Sequence, residues 1–174
     1  SDFGPLDLYP YTYPTKEELN AAGVTGVFLG YYVPWDGWVN AFIAQTHGFE
    51  WYPHCVDGSV EGRENLDNGQ TGVHDALKYA KFAFGRASDI ASMHVRRGRL
   101  NRVDAAQIVR RVDGHFPWSY LGVKLQEVLS PLGLSIAEFQ SIYDRFTNRA
   151  LFKTDPQGNL VKRPDGSPER LNEP

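Results

Sequence analysis

Apolar residues recur at helical spacing along most of the chain and at strand spacing in one short stretch. The longest helical run follows a polar loop. Stepping about 100° per residue, Val73, Ala76, Leu77, Ala80, Ala83, Phe84, Ala87 and Ala91 share one stripe, which predicts a core-facing surface. His74, Lys78, Lys81 and Gly85 share a second face, and Asp75, Tyr79, Phe82 and Arg86 the third. Phe82 beside Tyr79 does not suit a solvent-facing side, so this helix is expected to be buried on more than one side. With Thr71 as N-cap and Gly98 as C-cap, the pattern predicts one continuous helix reaching Arg97.

Helix signals punctuate the rest. Thr15 with Glu18, and Ser135 with Glu138, read as capping boxes. They open helices from Lys16 to about Gly23 and from Ile136 to about Ala150. Asp36 caps a helix over Gly37 to Thr46 that Gly48 stops, and Asn101 with Asp104 opens another that Gly114 closes. Tyr120 to Leu129 is a further amphipathic stretch. Residues 24–33 (VTGVFLGYYV) are the best strand candidate, ended by Pro34. The reading is mainly α with one or two short strands: an extended segment over 1–14, a helical domain over 15–150 with one strand near 24–33, and a tail over 151–174 that forms at most one hairpin. A lone strand cannot satisfy its backbone groups, so its sheet partner is expected in the tail or outside these residues.

At 174 residues the chain suits one domain. A net charge of -3 opposes a protein whose whole surface binds nucleic acid. The single cysteine, Cys55, excludes internal disulfides and fits a reducing cytoplasm. No apolar run is long enough to span a membrane, so no membrane partner is expected. Ser1 in place of an initiator methionine suggests an excised or processed chain.

Known phosphate loops, dinucleotide fingerprints and zinc motifs are absent from the sequence. Asp57, Glu61, Glu64 and Asp67, followed by His74 and Asp75, read either as acid–base groups at a polar-ligand site or as a solvated loop that favours the helix N-terminus. Asp36, after the strand candidate, reads as a ligand group or only as a cap. Lys78, Lys81, Arg86, Arg96, Arg97, Arg99 and Arg102 concentrate positive charge. They suit an anionic ligand, a structural role, or less readily a helix-turn-helix on DNA.

Taken in order, Leu29-Gly-Tyr-Tyr-Val-Pro-Trp-Asp36, Glu61-Gly, Glu64-Asn-Leu-Asp67, His74-Asp75, Lys81-Phe-Ala-Phe-Gly-Arg86, Ser88-Asp89 and Val95-Arg-Arg-Gly98 resemble the C-terminal half of the N-acetyl sugar amidotransferases over roughly residues 8–150. These are ATP-pyrophosphatase-type (PP-loop) enzymes of bacterial O-antigen, pseudaminic and legionaminic acid pathways. The resemblance implies a Rossmann-like α/β enzyme whose nucleotide domain lies upstream of these residues and uses ATP and Mg. It implies adenylation of an acetamido oxygen on a nucleotide-linked sugar, then conversion to an acetamidino group with ammonia from a glutaminase–cyclase partner. It assigns no catalytic residue and no metal or cofactor site here. Asp36, Glu61, Asp67, His74, Lys81, Arg86 and Arg96 match the family's polar positions and are expected to face substrate or partner. The family's Ser-Gly-Gly-x-Asp-Ser loop and N-terminal cysteines are absent, so this chain alone is expected neither to bind ATP in the family manner nor to turn over. Ala83 stands where the family run has glycine, a change that a packed helix should accept. Two alternatives remain: a non-catalytic interaction module, and the DNA-binding helix-turn-helix.

Overall fold

Side-chain caps set where the helices begin. Thr15 Oγ1 accepts from Glu18 N at 3.2 Å, Asp36 Oδ1 from Trp38 N at 3.1 Å, Asn101 Oδ1 from Asp104 N at 2.9 Å and Ser135 Oγ from Glu138 N at 3.3 Å. Each satisfies a first-turn N–H that the helix cannot pair. The computed structural model describes residues 4–172 of the chain. They divide after His47 into two compact units.

In the first unit, α1 (Pro5–Leu8), α2 (Lys16–Ala21) and α3 (Gly37–Thr46) are joined by 3-10 turns at Tyr9–Tyr11 and Leu29–Tyr31. The segment expected to be extended begins helically because Pro5 sits at the first helical position and Asp7 accepts from Gly4 N at 2.8 Å. Residues 1–3 and 173–174, on which the rest of the N-terminal expectation and the frayed C-terminus fall, lie outside the described residues.

The strand expected near 24–33 is not formed. Residues 24–28 have no regular structure, and Tyr31 N and Tyr32 N bond back to Phe28 O and Leu29 O. No strand lies within 4–47 to pair it, and the N–H groups of Val24, Tyr31, Tyr32 and Val33 bond within residues 19–33 instead. Its apolar side chains stay exposed, Phe28 at 81% and Tyr31 at 86%, and no residue of 4–47 is buried.

In the second unit, a long loop over 48–70 leads into α4 (Thr71–Phe82), α5 (Arg86–Arg96) and α6 (Arg102–Val112). A two-residue hairpin, β1 (Ser119–Tyr120) with β2 (Val123–Lys124), precedes α7 (Leu125–Leu129) and α8 (Ile136–Phe146). Leu121 and Gly122 both have positive φ (50° and 82°) at its turn, as a tight hairpin requires. This hairpin and the short α7 replace the single amphipathic stretch expected over 120–129. The tail folds back through three isolated antiparallel bridges, Phe152–Arg170, Thr154–Leu160 and Lys162–Pro168. The result is a mainly α domain with one short hairpin.

The largest correction concerns the long helix. It breaks at Ala83, whose φ of 59° and ψ of 21° are left-handed and whose N–H closes the last turn on Tyr79 O. Position 83 is thus a helix terminus, where glycine is the natural choice, and not mid-helix. A methyl there is tolerated because it packs with Tyr79 and Phe152. Replacing it with valine, which disfavours positive φ strongly, is expected to cost about 2 kcal/mol, read as a lowered urea midpoint.

The break turns the stripe in two directions. Ala76 and Ala80 pack with Phe116, Leu125, Leu129, Phe139 and Tyr143. Ala91, beyond the break, packs instead with Ala105 and Val109 of α6. Phe84 leaves the core and is 39% exposed. The expectation of burial on two sides holds for α4, since Tyr79 packs on Ala83 and Phe152 and its hydroxyl accepts from Arg163 Nη2 at 2.8 Å.

Candidate functional site

Breaking the helix puts Arg86 in the first turn of α5, with Gly85 as N-cap. Glycine is needed there because an added Cβ would lie 2.2 Å from Asp113 Oδ1. Asp113, buried just after α6, caps α5 from outside. Its Oδ2 accepts from Gly85 N at 2.9 Å and from Ser88 Oγ at 2.6 Å, supplying acceptors for a helix start that has none of its own. A carboxylate at a helix N-terminus also meets the positive end of the macrodipole.

Held this way, the buried Arg86 guanidinium pairs through Nη2 with Asp75 Oδ2 and donates from Nη1 to Tyr120 Oη at 2.8 Å. Tyr120 Oη in turn donates to Asn65 O at 3.1 Å. Burial pushes the Tyr120 phenol above its ordinary range, against the pull of Arg86. On the solvent side, Asp75 Oδ1 lies 3.1 Å from His74 Nδ1. A line of polar bonds thus runs from exposed His74 through Asp75 and Arg86 to Tyr120 and the loop.

Of these, Asp75, Arg86 and Tyr120 line a cavity of about 230 Å³ together with Asp57, Asp113, His115, Phe116 and Trp118. Burial raises the Asp57 carboxyl above its usual range, while the charge of His115 opposes the rise. Both His115 nitrogens face acceptors, Asp165 Oδ2 at 2.9 Å and Arg111 O at 2.8 Å.

Asp165 ties the tail to this wall. Burial alone would raise its carboxyl, but bonds from the Ser167 hydroxyl and N–H, His115 and Phe116 N–H outweigh that and bring it down to about 2. The folded value lies below the ordinary 3.8, so its stabilisation is present above that value and is lost as pH falls from there toward about 2. Urea midpoints between pH 5 and 2 are expected to fall, and Asp165→Asn is expected to flatten that slope.

Outside the cavity lining, Glu61 is buried between Arg63 and His94. Its oxygens pair with Arg63 and His94 Nε2. The Arg63 guanidinium also lies 5.3 Å from the Trp51 ring centroid. Glu64 couples the two clusters: burial and the Glu61 charge raise its carboxyl, and Arg86, Arg63 and His94 pull it back.

The expected site residues therefore divide. Arg86 is central, His74 reaches it through Asp75, and Glu61 sits in the buried cluster with Arg63 and His94. Asp67 and Arg96 are exposed, on the loop and in the last turn of α5. Lys81 points elsewhere, 5.1 Å from the Phe82 ring centroid and 5.9 Å from that of Phe146. Asp36 caps α3 in the first unit. Sequence reasoning missed Asp113, His115 and Tyr120. The Asp-Gly pair that closes α6 hinted at the first, but nothing in the periodicity marked the others. Among the described residues no three His, Cys, Asp or Glu side chains gather as metal ligands, and no helix is long and apolar enough to cross a membrane.

Among known families, the one described as LPS biosynthesis protein WbpG-like, C-terminal domain, matches residues 40–164. No curated protein matches the chain.

Proposed function

Because the chain belongs to the WbpG-like C-terminal domain family of lipopolysaccharide biosynthesis proteins, we propose that its second unit lines the substrate site of an ATP-dependent sugar amidotransferase working in the cytoplasm. The reaction is conversion of an acetamido group on a nucleotide-linked sugar to an acetamidino group. The nitrogen comes as ammonia from a glutaminase–cyclase partner. One observation carries the reading: the family match spans the cavity in which Arg86, Asp57 and Asp113 stand beside Phe116, Trp118 and Tyr120. Carboxylates and a fixed guanidinium offer directional bonds to hydroxyl and amide groups. Aromatic walls supply the apolar area that small-ligand sites use.

The residues present do not fit ATP. No glycine-rich phosphate loop occurs in the 174 residues, so no step through the nucleotide triphosphate is derived for them. The role that fits is to hold and orient the sugar end of the substrate, which lowers the barrier by positioning.

The test is fluorescence titration of the chain with a nucleotide-linked acetamido sugar, using Trp118 at the cavity wall as reporter. The expected result is a saturable change that Trp118→Phe removes and that the free nucleotide does not produce. An absence of any change with the sugar, alongside turnover by the gene product that carries this chain, would move the substrate site out of these residues.

An interaction module is the second reading. It is favoured by the first unit, where Leu6, Tyr9, Tyr11 and Tyr13 stand 75–87% exposed. Such a surface suits a protein partner.

A further inference from the structure

A second hollow, of about 530 Å³, lies between α8 and the tail, and its lining shares no residue with the cavity around Arg86. One wall is a stripe of α8 at helical spacing: Ala137, Gln140, Ser141, Asp144 and Arg145. Phe139 and Tyr143, on the far side of that helix, are buried in the core. Asn159, Leu160 and Lys162 form the other wall, with Arg149 in the connection between them. Leu160 packs on the cluster of Tyr79, Ala83 and Phe152 and bridges to Thr154. Asp155 accepts from Asn159 N at 2.8 Å and from Asn159 Nδ2 at 3.0 Å. Both walls are therefore anchored without a ligand, which spares part of the ordering cost of binding.

The charge of this lining opposes that of the chain. Arg145, Arg149 and Lys162 against Asp144, three minus one, leave two positive charges, where the whole chain carries -3. Asp144 is taken by Lys162, whose Nζ donates to it at 2.6 Å. Neither arginine has a carboxylate. Arg149 Nε reaches Gly158 O at 3.5 Å, and among the described residues Arg145 has no ion-pair partner. Acids are not scarce, at 21 against 18 lysines and arginines. The macrodipole accounts for a cation in the last turn of α8, where Arg145 sits, but not for Arg149 beyond it. Guanidinium forks without a carboxylate match the oxygens of a phosphate.

We infer that this cleft binds a sugar phosphate. Its two net charges match a phosphate monoester dianion, held by Arg145 and Arg149. The volume falls in the range of small-ligand sites and leaves room beyond the phosphate. Gln140, Ser141 and Asn159 offer amide and hydroxyl groups to the hydroxyls of a sugar. The lining has no aromatic ring on which a nucleobase could stack, so the sugar and not a base is what the cleft reads. This binding does not depend on the amidotransferase reading.

Calorimetric titration of the chain with glucose 1-phosphate tests it, beside inorganic phosphate, AMP and poly-glutamate. The expected result is saturable binding of glucose 1-phosphate, tighter than that of phosphate or AMP. Arg145→Gln with Arg149→Gln is expected to weaken it at least about tenfold. Arg145→Lys with Arg149→Lys should recover part of the loss, since the charge returns without the fork. Both arginines are exposed, so the variants are expected to keep the wild-type urea midpoint. No saturable heat, or equal affinity in the glutamine variant, overturns the proposal. Phosphate or AMP binding as tightly as glucose 1-phosphate overturns it as well, because the sugar is then not read. Heat with poly-glutamate alone would make the cleft a docking face for an acidic protein segment instead.

Discussion

Gly114→Ala is expected to destabilise the second unit by about 3–4 kcal/mol, from about 1 for the left-handed backbone and 2–3 for overpacking. Gly114 has φ +71°, and an added Cβ would lie 2.1 Å from Tyr79 Cζ. Tyr79 cannot give way cheaply, since its ring packs on Phe152 at 5.5 Å and its hydroxyl receives Arg163. Gly158 supplies the control. Its φ is +84°, but nothing lies within 4 Å of the added atom, so Gly158→Ala is expected to cost only about 1 kcal/mol. Urea unfolding of the two variants measures the difference, and equal midpoints would mean that Tyr79 does not press on this turn.

Arg86→Ala is the second large effect, expected at about 3 kcal/mol because it leaves Asp75 without its cation. The value sits at the low end for a broken buried pair: Asp75 keeps His74, and its side chain is 17% exposed. Arg86→Lys is expected to recover part of the loss, since a point charge meets Asp75 but cannot also reach Tyr120 in the planar fork. The paired variant Asp75→Asn with Arg86→Met should regain stability while ligand binding stays lost. If Arg86→Ala unfolds within 1 kcal/mol of wild type, the guanidinium is not the pillar of this site.

Local signals were legible in the chain and long-range ones were not. Thr15, Asp36, Asn101 and Ser135 were readable as caps because a cap is decided within three residues. Arg86 and Glu61 were readable as polar groups on or beside a helix with too little solvent face. The strand near 24–33 failed because strand propensity speaks for a surface and says nothing of a partner to pair with. The break at Ala83 was hidden because alanine is the best helix former, and the left-handed conformation is imposed from outside. Asn148 N and Nδ2 bond to Ala80 O and Lys81 O at the end of α4, while Asp113 holds the start of α5. Both partners lie far along the chain, as does Tyr120 from Arg86.

The bond between Arg163 and Tyr79 spans 84 positions, and Ser167 and Pro168 of the tail are fully buried. During synthesis α4 therefore leaves the ribosome long before the residues that finish its packing, and one side of it waits bare until the tail has emerged. The second unit gains its stability in a late step rather than by steady growth from its N-terminal end. The side of α4 that carries Tyr79 is covered only once residues 152–168 have been made.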